Sequence, residues 1–380
     1  MSKPVYLDYN ATTPIDPEVV AVMKPFLEEE FGNASSTHWF GILPKRAVEK
    51  ARKQVAEILN CAPDEIIFTS GGTESNNHAI IGTAQALKHK GNHIITTQVE
   101  HPAVLEVCRY LESFGFHITC VGVDEYGMVD VSHIKDAITP ETILISVMHA
   151  NNEIGTIEPI EEIAGVAKEK QVLFHTDAAQ SAGKISTDVN SLGVDMLSIA
   201  GHKLYAPKGV GALYVRKGVN PDIFMHGAGQ EMGRRAGTEN VPGIAALGKA
   251  CEIARRDMIV NSAQMKKTRD ALFQDLQKNW SELRRNGHPE KVLPNTLSIS
   301  FNGLEANRIL EEIGLQVAAS AGAACHSDLV EISHVLLATD LPETWSKGTI
   351  RFSTGKNTSD ADIETAVTIT LEALKALTRE

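Results

Sequence analysis

A chain of 380 residues exceeds what one hydrophobic core usually supports, so two domains are expected. The composition, 43% hydrophobic and 22% charged, is that of a soluble globular protein, and the net charge of -12 argues against general nucleic-acid binding, which needs a basic face. No apolar stretch is long enough to span a membrane, no apolar leader follows Met1, and the five scattered cysteines lack a C-x-x-C spacing, so a cytoplasmic protein with reduced thiols is expected.

Residues 1–13 read as an N-terminal arm. Asp16 followed by Pro17 marks a helix start, and Gly32 falls past its end. Ala47, Ala51, Val55 and Ile58 or Leu59 share one face of a second helix over about 44–60. Short apolar runs follow at 65–70, 93–99, 117–123, 142–149, 172–176, 196–200 and 211–215, most of them separated by helix-length segments. This alternation predicts an α/β fold with a seven-stranded, mostly parallel sheet covered by helices, forming a large domain over 14–255. From residue 256 the character changes. A charged helical stretch opens at Arg255, Arg256 and Asp257, and 280–291 is polar and loop-like. Residues 296–301 alternate as a half-buried strand, and 349–353 give a second. Ser359 with Asp362 forms a capping box for a final helix with apolar face Ile363, Val367, Leu371 and Leu374. Residues 256–380, joined by the 1–13 arm, are expected to form a smaller α+β domain.

In sheets of this kind ligands bind beyond the carboxyl ends of the strands, where Thr73, His101, Asn152, Asp177 and Lys203 fall. Two of these tips are chemically paired. The run ending in Asp177 presents a carboxylate, and the run leading to Gly201-His-Lys203 presents an amine. A carboxylate against a pyridine nitrogen and an amine able to form an imine are what pyridoxal phosphate requires of a protein. Gly71-Gly-Thr73 sits between a strand and a helix, where free backbone N–H groups favour an anion such as the cofactor phosphate. The fourteen histidines form no H-E-x-x-H motif; His326 and His334 flank an acidic loop, and no metal site is expected.

The segments Tyr6-Leu-Asp-Tyr-Asn-Ala-Thr-Thr-Pro14, Phe68-Thr-Ser-Gly-Gly-Thr-Glu-Ser-Asn76, Val99-Glu-His101, Asn151-Asn-Glu-Ile-Gly155, His175-Thr-Asp-Ala-Ala-Gln180 and Gly201-His-Lys203 resemble the pyridoxal-phosphate-dependent cysteine desulfurases and the related selenocysteine lyases. The resemblance spans nearly the whole chain and implies a fold-type I pyridoxal-phosphate enzyme. It implies Gly72, Thr73 and His202 as phosphate ligands, and His101 as the residue that stacks on the pyridine ring and moves protons. Asn152 and Gln180 would bond near the ring hydroxyl, and Asp177 the ring nitrogen. Lys203 would hold the cofactor covalently and serve as base at the substrate Cα. Arg351 would grip the substrate carboxylate, with Asn152 beside it, and Thr238 would reach the partner subunit's phosphate, which implies a homodimer with shared sites.

Cys325 specifies the reaction. It lies in Ala318-Ala-Ser-Ala-Gly-Ala-Ala-Cys-His-Ser-Asp328, small residues suited to a mobile loop. In the resembling family such a thiolate takes the sulfur of L-cysteine as a persulfide and leaves L-alanine. Two features lean toward the selenocysteine lyases, which would release selenium from L-selenocysteine: the Ala-Ala-Cys-His-Ser-Asp sequence, and Ala200 where many members place a phosphate-binding serine. The chain stops straight after its last helix, without the tail by which housekeeping desulfurases dock an iron–sulfur scaffold. That weighs against this scaffold while leaving a sulfur-acceptor protein as the expected partner.

Overall fold

The computed structural model describes residues 4–379 except 322, 327 and 328, and the side chains of 322–331 lie outside the description. The seven expected strands form one sheet. In chain order they are β2 (Ile66–Thr69), β3 (His93–Thr97), β4 (His117–Val121), β5 (Thr142–Ser146), β6 (Leu173–Asp177), β7 (Met196–Ala200) and β8 (Gly211–Val215). The arm contributes a short β1 (Val5–Tyr6) outside this sheet. The order across the sheet is β2-β8-β7-β6-β5-β3-β4, and β8 alone runs against its neighbours. Strands with both faces covered read as continuous apolar runs, and five of the seven are buried along their whole length.

The two faces sort by alternation. Ile67, Ile94, Leu144, Met196 and Leu213 point one way, and Phe68, Ile95, Ile145, Phe174, Leu197, Ile199 and Tyr214 the other. The first face packs on α3 (Gly72–Leu87) and α4 (Pro102–Glu112). The second packs on α2 (Trp39–Leu59), α5 (Val131–Ala137), α6 (Ile160–Lys170), α7 (Val189–Leu192) and the first half of α8 (Val241–Asn279). Helix α1 (Pro17–Glu28) starts as expected: Asp16 accepts from the Glu18 N–H at 2.8 Å, with Pro17 in the first turn. It ends before Gly32 is reached. Helix α2 begins at Trp39, earlier than its periodicity indicated, and carries Pro44 in its second turn, where the Phe40 carbonyl loses its intrahelical donor.

A second core gathers around β10 (Thr296–Phe301), which pairs antiparallel with β9 (Leu283–Asn286) and with β15 (Thr349–Ser353). β9 is a correction: its sequence, Leu-Arg-Arg-Asn, carries no apolar alternation, and it is an edge strand whose partner supplies the burial. β10 is buried on both faces, more than its alternation indicated. Around it lie α9 (Ala306–Ile313), the two-residue strands β11 (Val317–Ala318) and β12 (Ser320–Ala321), α11 (Glu343–Ser346) and α12 (Asp360–Leu377), whereas α10 (His334–Ala338) packs Val335 and Leu336 against Val99, Met148 and Ile154. Between β12 and α10 the backbone of β13 (Ala323–His326) pairs with β14 (Leu329–Ile332). The capping box of α12 is present: Asp362 accepts from the Ser359 N–H at 2.8 Å, and Ser359 accepts from the Asp362 N–H at 3.1 Å.

Two elements tie the cores together. Helix α8 passes residue 256 without a break; Ile244, Leu247 and Cys251 lie in the first core, Leu272 and Leu276 in the second. The arm crosses the other way. β1 pairs with β11, Val5 and Leu7 enter the second core, and Asn10 reaches the tips of the large sheet.

Candidate active site

Every expected cofactor- and substrate-binding residue except Thr238 lines one cavity of about 290 Å³: Gly72, Thr73, His101, Asn152, Asp177, Gln180, His202, Lys203 and Arg351. The topology explains the convergence. β2, β3, β5, β6 and β7 are mutually parallel, so their carboxyl ends point the same way, and each is followed by one of these residues. A larger groove of about 710 Å³, beside Lys90, Thr139 and Lys170, lies at the opposite strand ends and collects none of them.

At the phosphate end, α3 begins at Gly72 with no side chain capping its first N–H groups. Gly71 takes φ +154°, a conformation side chains disfavour, and a Cβ on Gly211 would lie 2.7 Å from the Gly71 Cα. Glycine at both positions lets β8 pass close under the helix start. A Cβ on Gly72 would in turn meet the Ala200 Cβ at 3.2 Å, so the cradle is lined by backbone and a methyl group. Glu74 braces the turn from behind, accepting from the Ser70 N–H at 2.7 Å and from both ends of the Arg235 guanidinium at 2.7 and 3.0 Å.

At the centre, Asp177 is fixed by two donors: the Asn76 amide at 2.7 Å and the Ala179 N–H at 2.8 Å. The Asn76 carbonyl oxygen is buried and unpartnered. His101 caps α4, its Nδ1 accepting from the Ala103 N–H at 3.0 Å, so the proton of the neutral ring sits on Nε2. Burial lowers its pKa, Lys203 and His334 add to the effect, and Asp177 opposes it. His202 is likewise held neutral, pushed down to about 4 by burial and then by Lys203 and Lys208. Lys203 donates to the backbone carbonyls of Asn10 and Ala11. Burial and then Arg351 bring its ammonium down to about 8, against the pull of Asp8 and Asp177. A lysine so poised supplies neutral amine near physiological pH.

At the substrate end, Arg351 reaches in from the middle of β15. It donates to the Asn152 carbonyl at 3.0 Å, to Asp8 at 2.8 Å and to Ser320 Oγ at 3.1 Å, and its Nε is buried without a partner. Thr238 is exposed on the loop before α8 and does not line this cavity. The thiol of Cys325 lies outside the described residues, as does the imidazole of His326; only their backbone, in β13, is described. Among the described residues no cluster of three or more His, Cys, Asp or Glu is placed to hold a metal.

The donor set fits pyridoxal phosphate: uncapped N–H groups for an anion, a fixed carboxylate for a ring nitrogen, and a desolvated amine between them. Asn10, Asn76 and Asp8 were not anticipated. Asn76 carried a signal, because it stands four residues after Gly72 and therefore on the same helix face. Asn10 and Asp8 belong to a recognised segment, but nothing local shows that the arm folds back onto the sheet.

The aminotransferase class-V family model matches residues 5–365. The chain belongs to that family. Among curated class-V relatives, the cysteine desulfurase IscS of Dictyoglomus turgidum is 50% identical over 364 residues, covering 96% of this chain and 92% of the relative. The IscS of Methanosarcina thermophila is 46% identical over 377 residues, covering 99% and 93%. A solved NifS-like protein superposes with a TM-score of 0.93 at 37% identity, covering 98% of this chain and all of that one. SspA, solved in complex with cysteine, gives 0.82 at 37% identity, covering 93% and 99%. Like its class-V relatives, the protein is a pyridoxal-phosphate enzyme. Among the described residues no helix is long and apolar enough to cross a membrane.

Proposed function

We propose that the protein is a cysteine desulfurase that converts L-cysteine to L-alanine and captures the sulfur as a persulfide on Cys325. The observation that carries this reading is the convergence of Lys203, Asp177, His101 and Arg351 on one small cavity, in a chain half identical to a curated cysteine desulfurase. Bound pyridoxal phosphate supplies an electron sink for the pair released when the Cα proton leaves. Arg351 holds the substrate carboxylate through the N–H groups not used on Asn152, Asp8 and Ser320. Lys203, depressed to about 8, takes the Cα proton on Nζ. Asp177 keeps a proton on the ring nitrogen, and Asn76 and Ala179 keep Asp177 in place. The Cys325 thiolate attacks the substrate sulfur: an S–S bond forms, the Cβ–S bond breaks, and Cβ takes up a proton. No outside oxidant is needed, since the carbon is reduced as the two sulfurs are oxidised.

Thr238 acts in the partner subunit's site, so the working unit is a homodimer. The exposed position of Thr238 supports this, as does the pair of guanidinium–carboxylate forks, Arg235 on Glu74 and Arg52 on Glu231, that holds its loop. Two domains, 14–255 and 256–380 with the arm, a cytoplasmic location and a sulfur-acceptor protein complete the reading.

The test is alanine formation. The native protein is expected to turn over L-cysteine and carry a persulfide on Cys325, detected by mass spectrometry. Cys325→Ala is expected to lose alanine formation from L-cysteine, retain part of its activity toward L-selenocysteine, and keep the cofactor's absorption. L-cysteine that binds but yields no alanine, with reductant and acceptor present, would replace desulfuration by selenocysteine lyase chemistry.

A further inference from the structure

Lys184 is a buried cation beside the cavity that the reaction leaves unused. It is 6% exposed, and among the described residues no carboxylate lies within ion-pair distance of it. Its ammonium donates to one side-chain acceptor, Gln180 Oε1, at 3.0 Å. At the other end of the same amide, Gln180 Nε2 donates to the Asn10 carbonyl at 3.0 Å, the carbonyl that Lys203 also uses. The result is a directed chain running from Lys184 through the Gln180 amide to the wall of the cavity.

An amide side chain can be turned end for end at little steric cost, so its orientation is set by what its ends meet. An ammonium has three donors and no acceptor. It therefore accepts only the carbonyl end of Gln180 and compels the NH2 end to face Asn10 and the cavity. One amide hydrogen goes to Asn10; the other is left for a ligand. A hydrogen-bonded chain headed by a cation also polarises each member, which makes the terminal N–H a stronger donor to an anionic oxygen.

We propose that Lys184 is a positioning residue that pins the Gln180 amide with its NH2 toward the cofactor, and through it stabilises negative charge on the cofactor's ring oxygen. This rests on the pyridoxal-phosphate reading of the cavity. Burial, then Lys203 and Arg351, bring the Lys184 ammonium down to about 7, so the anionic oxygen facing Gln180 is what keeps it protonated and the amide pinned above that pH. A buried cation without a carboxylate is costly, and an anionic oxygen one side chain away would offset part of that cost.

The experiment is a spectroscopic pH titration of the holoenzyme, with Lys184→Met and Lys184→Gln as alternative probes should either fold poorly. Losing the pinned, polarised amide should raise the pH at which the bound cofactor's visible absorption changes by about one unit, a tenfold change in proton affinity. In a Gln180→Ala background the same Lys184 substitution should add nothing, because the effect travels through the amide. A titration midpoint unchanged in both Lys184 variants would overturn the proposal, as would shifts that add fully in the double variant. A native protein that takes up no pyridoxal phosphate would instead sink the reading of the cavity itself, and is recognised before any variant is made.

Discussion

The two cores bury polar groups of different kinds. Around the parallel sheet, the interior near the cavity holds ionisable side chains: Glu100, Glu158, His149, His175 and Lys184 are all buried. Around β10 the fully buried side chains that bond across the strands are neutral, with the half-buried Arg285 of β9 beside them. Asn286 donates to Ser298 at 3.2 Å and to Ser300 at 2.8 Å, and Ser300 lies 2.7 Å from Thr349 Oγ1. The first arrangement is costly and serves a site; the serine, threonine and asparagine side chains of the second bond one another and serve the fold. Arg351 is the exception that shows the rule, since it leaves the second sheet at mid-strand to enter the cavity. A parallel sheet has a special end, where strand tips converge. An antiparallel sheet has none, so it contributes one long side chain.

Removing a charged group that lines the cavity should therefore abolish function and spare the fold. Lys203→Ala should lower alanine formation from L-cysteine by roughly a thousandfold or more, while circular dichroism of the cofactor-free protein stays native. Normal turnover in that variant would break the contrast at its strongest point.

The next effect is on pH dependence. Burial, helped by Asp124 and opposed by the Val129 N–H, raises the Glu158 carboxyl from 4.5 to about 8. A carboxyl whose folded pKa is raised contributes stability that is full below pH 4.5 and lost as pH climbs through 8. Glu158→Gln should flatten the decline in stability across that window, read by urea unfolding at a series of pH values. An unchanged slope would mean that Glu158 is not buried as a neutral acid.

The smallest effect belongs to the second region and has the opposite signature. Ser300→Ala takes away an acceptor of Asn286 and the partner of Thr349, and should cost about 1–3 kcal/mol in urea unfolding with turnover unaltered. Lost turnover at native stability would show that the second sheet tunes the site directly.

Much of this was legible in the sequence because the relevant interactions are local. The seven strands announce themselves as apolar runs, and Asp16 and Ser359 cap helices through neighbours two and three residues away. What escaped is non-local. β9 is polar and exists because β10 lies beside it. Asn10 belongs to the site only because the arm folds back across it, and nothing near Lys184 in sequence says that its ammonium will be sealed in behind Gln180. Thr238 gave the reverse lesson. A matching motif places it in a loop, but the cavity in its own chain is assembled without it.

The position of Asn10 also sets an order of events in biosynthesis. Asn10 leaves the ribosome well before its partner, because its N–H is met by Ser353, 343 residues later. At 5–20 residues per second that interval lasts roughly 20–70 seconds. In its later part, once β8 has emerged, the large sheet can be complete while Gln180 and Lys203 lack the carbonyl that holds them. A nascent chain halted short of β15 would carry every strand tip of the cofactor site and still have nothing to close it.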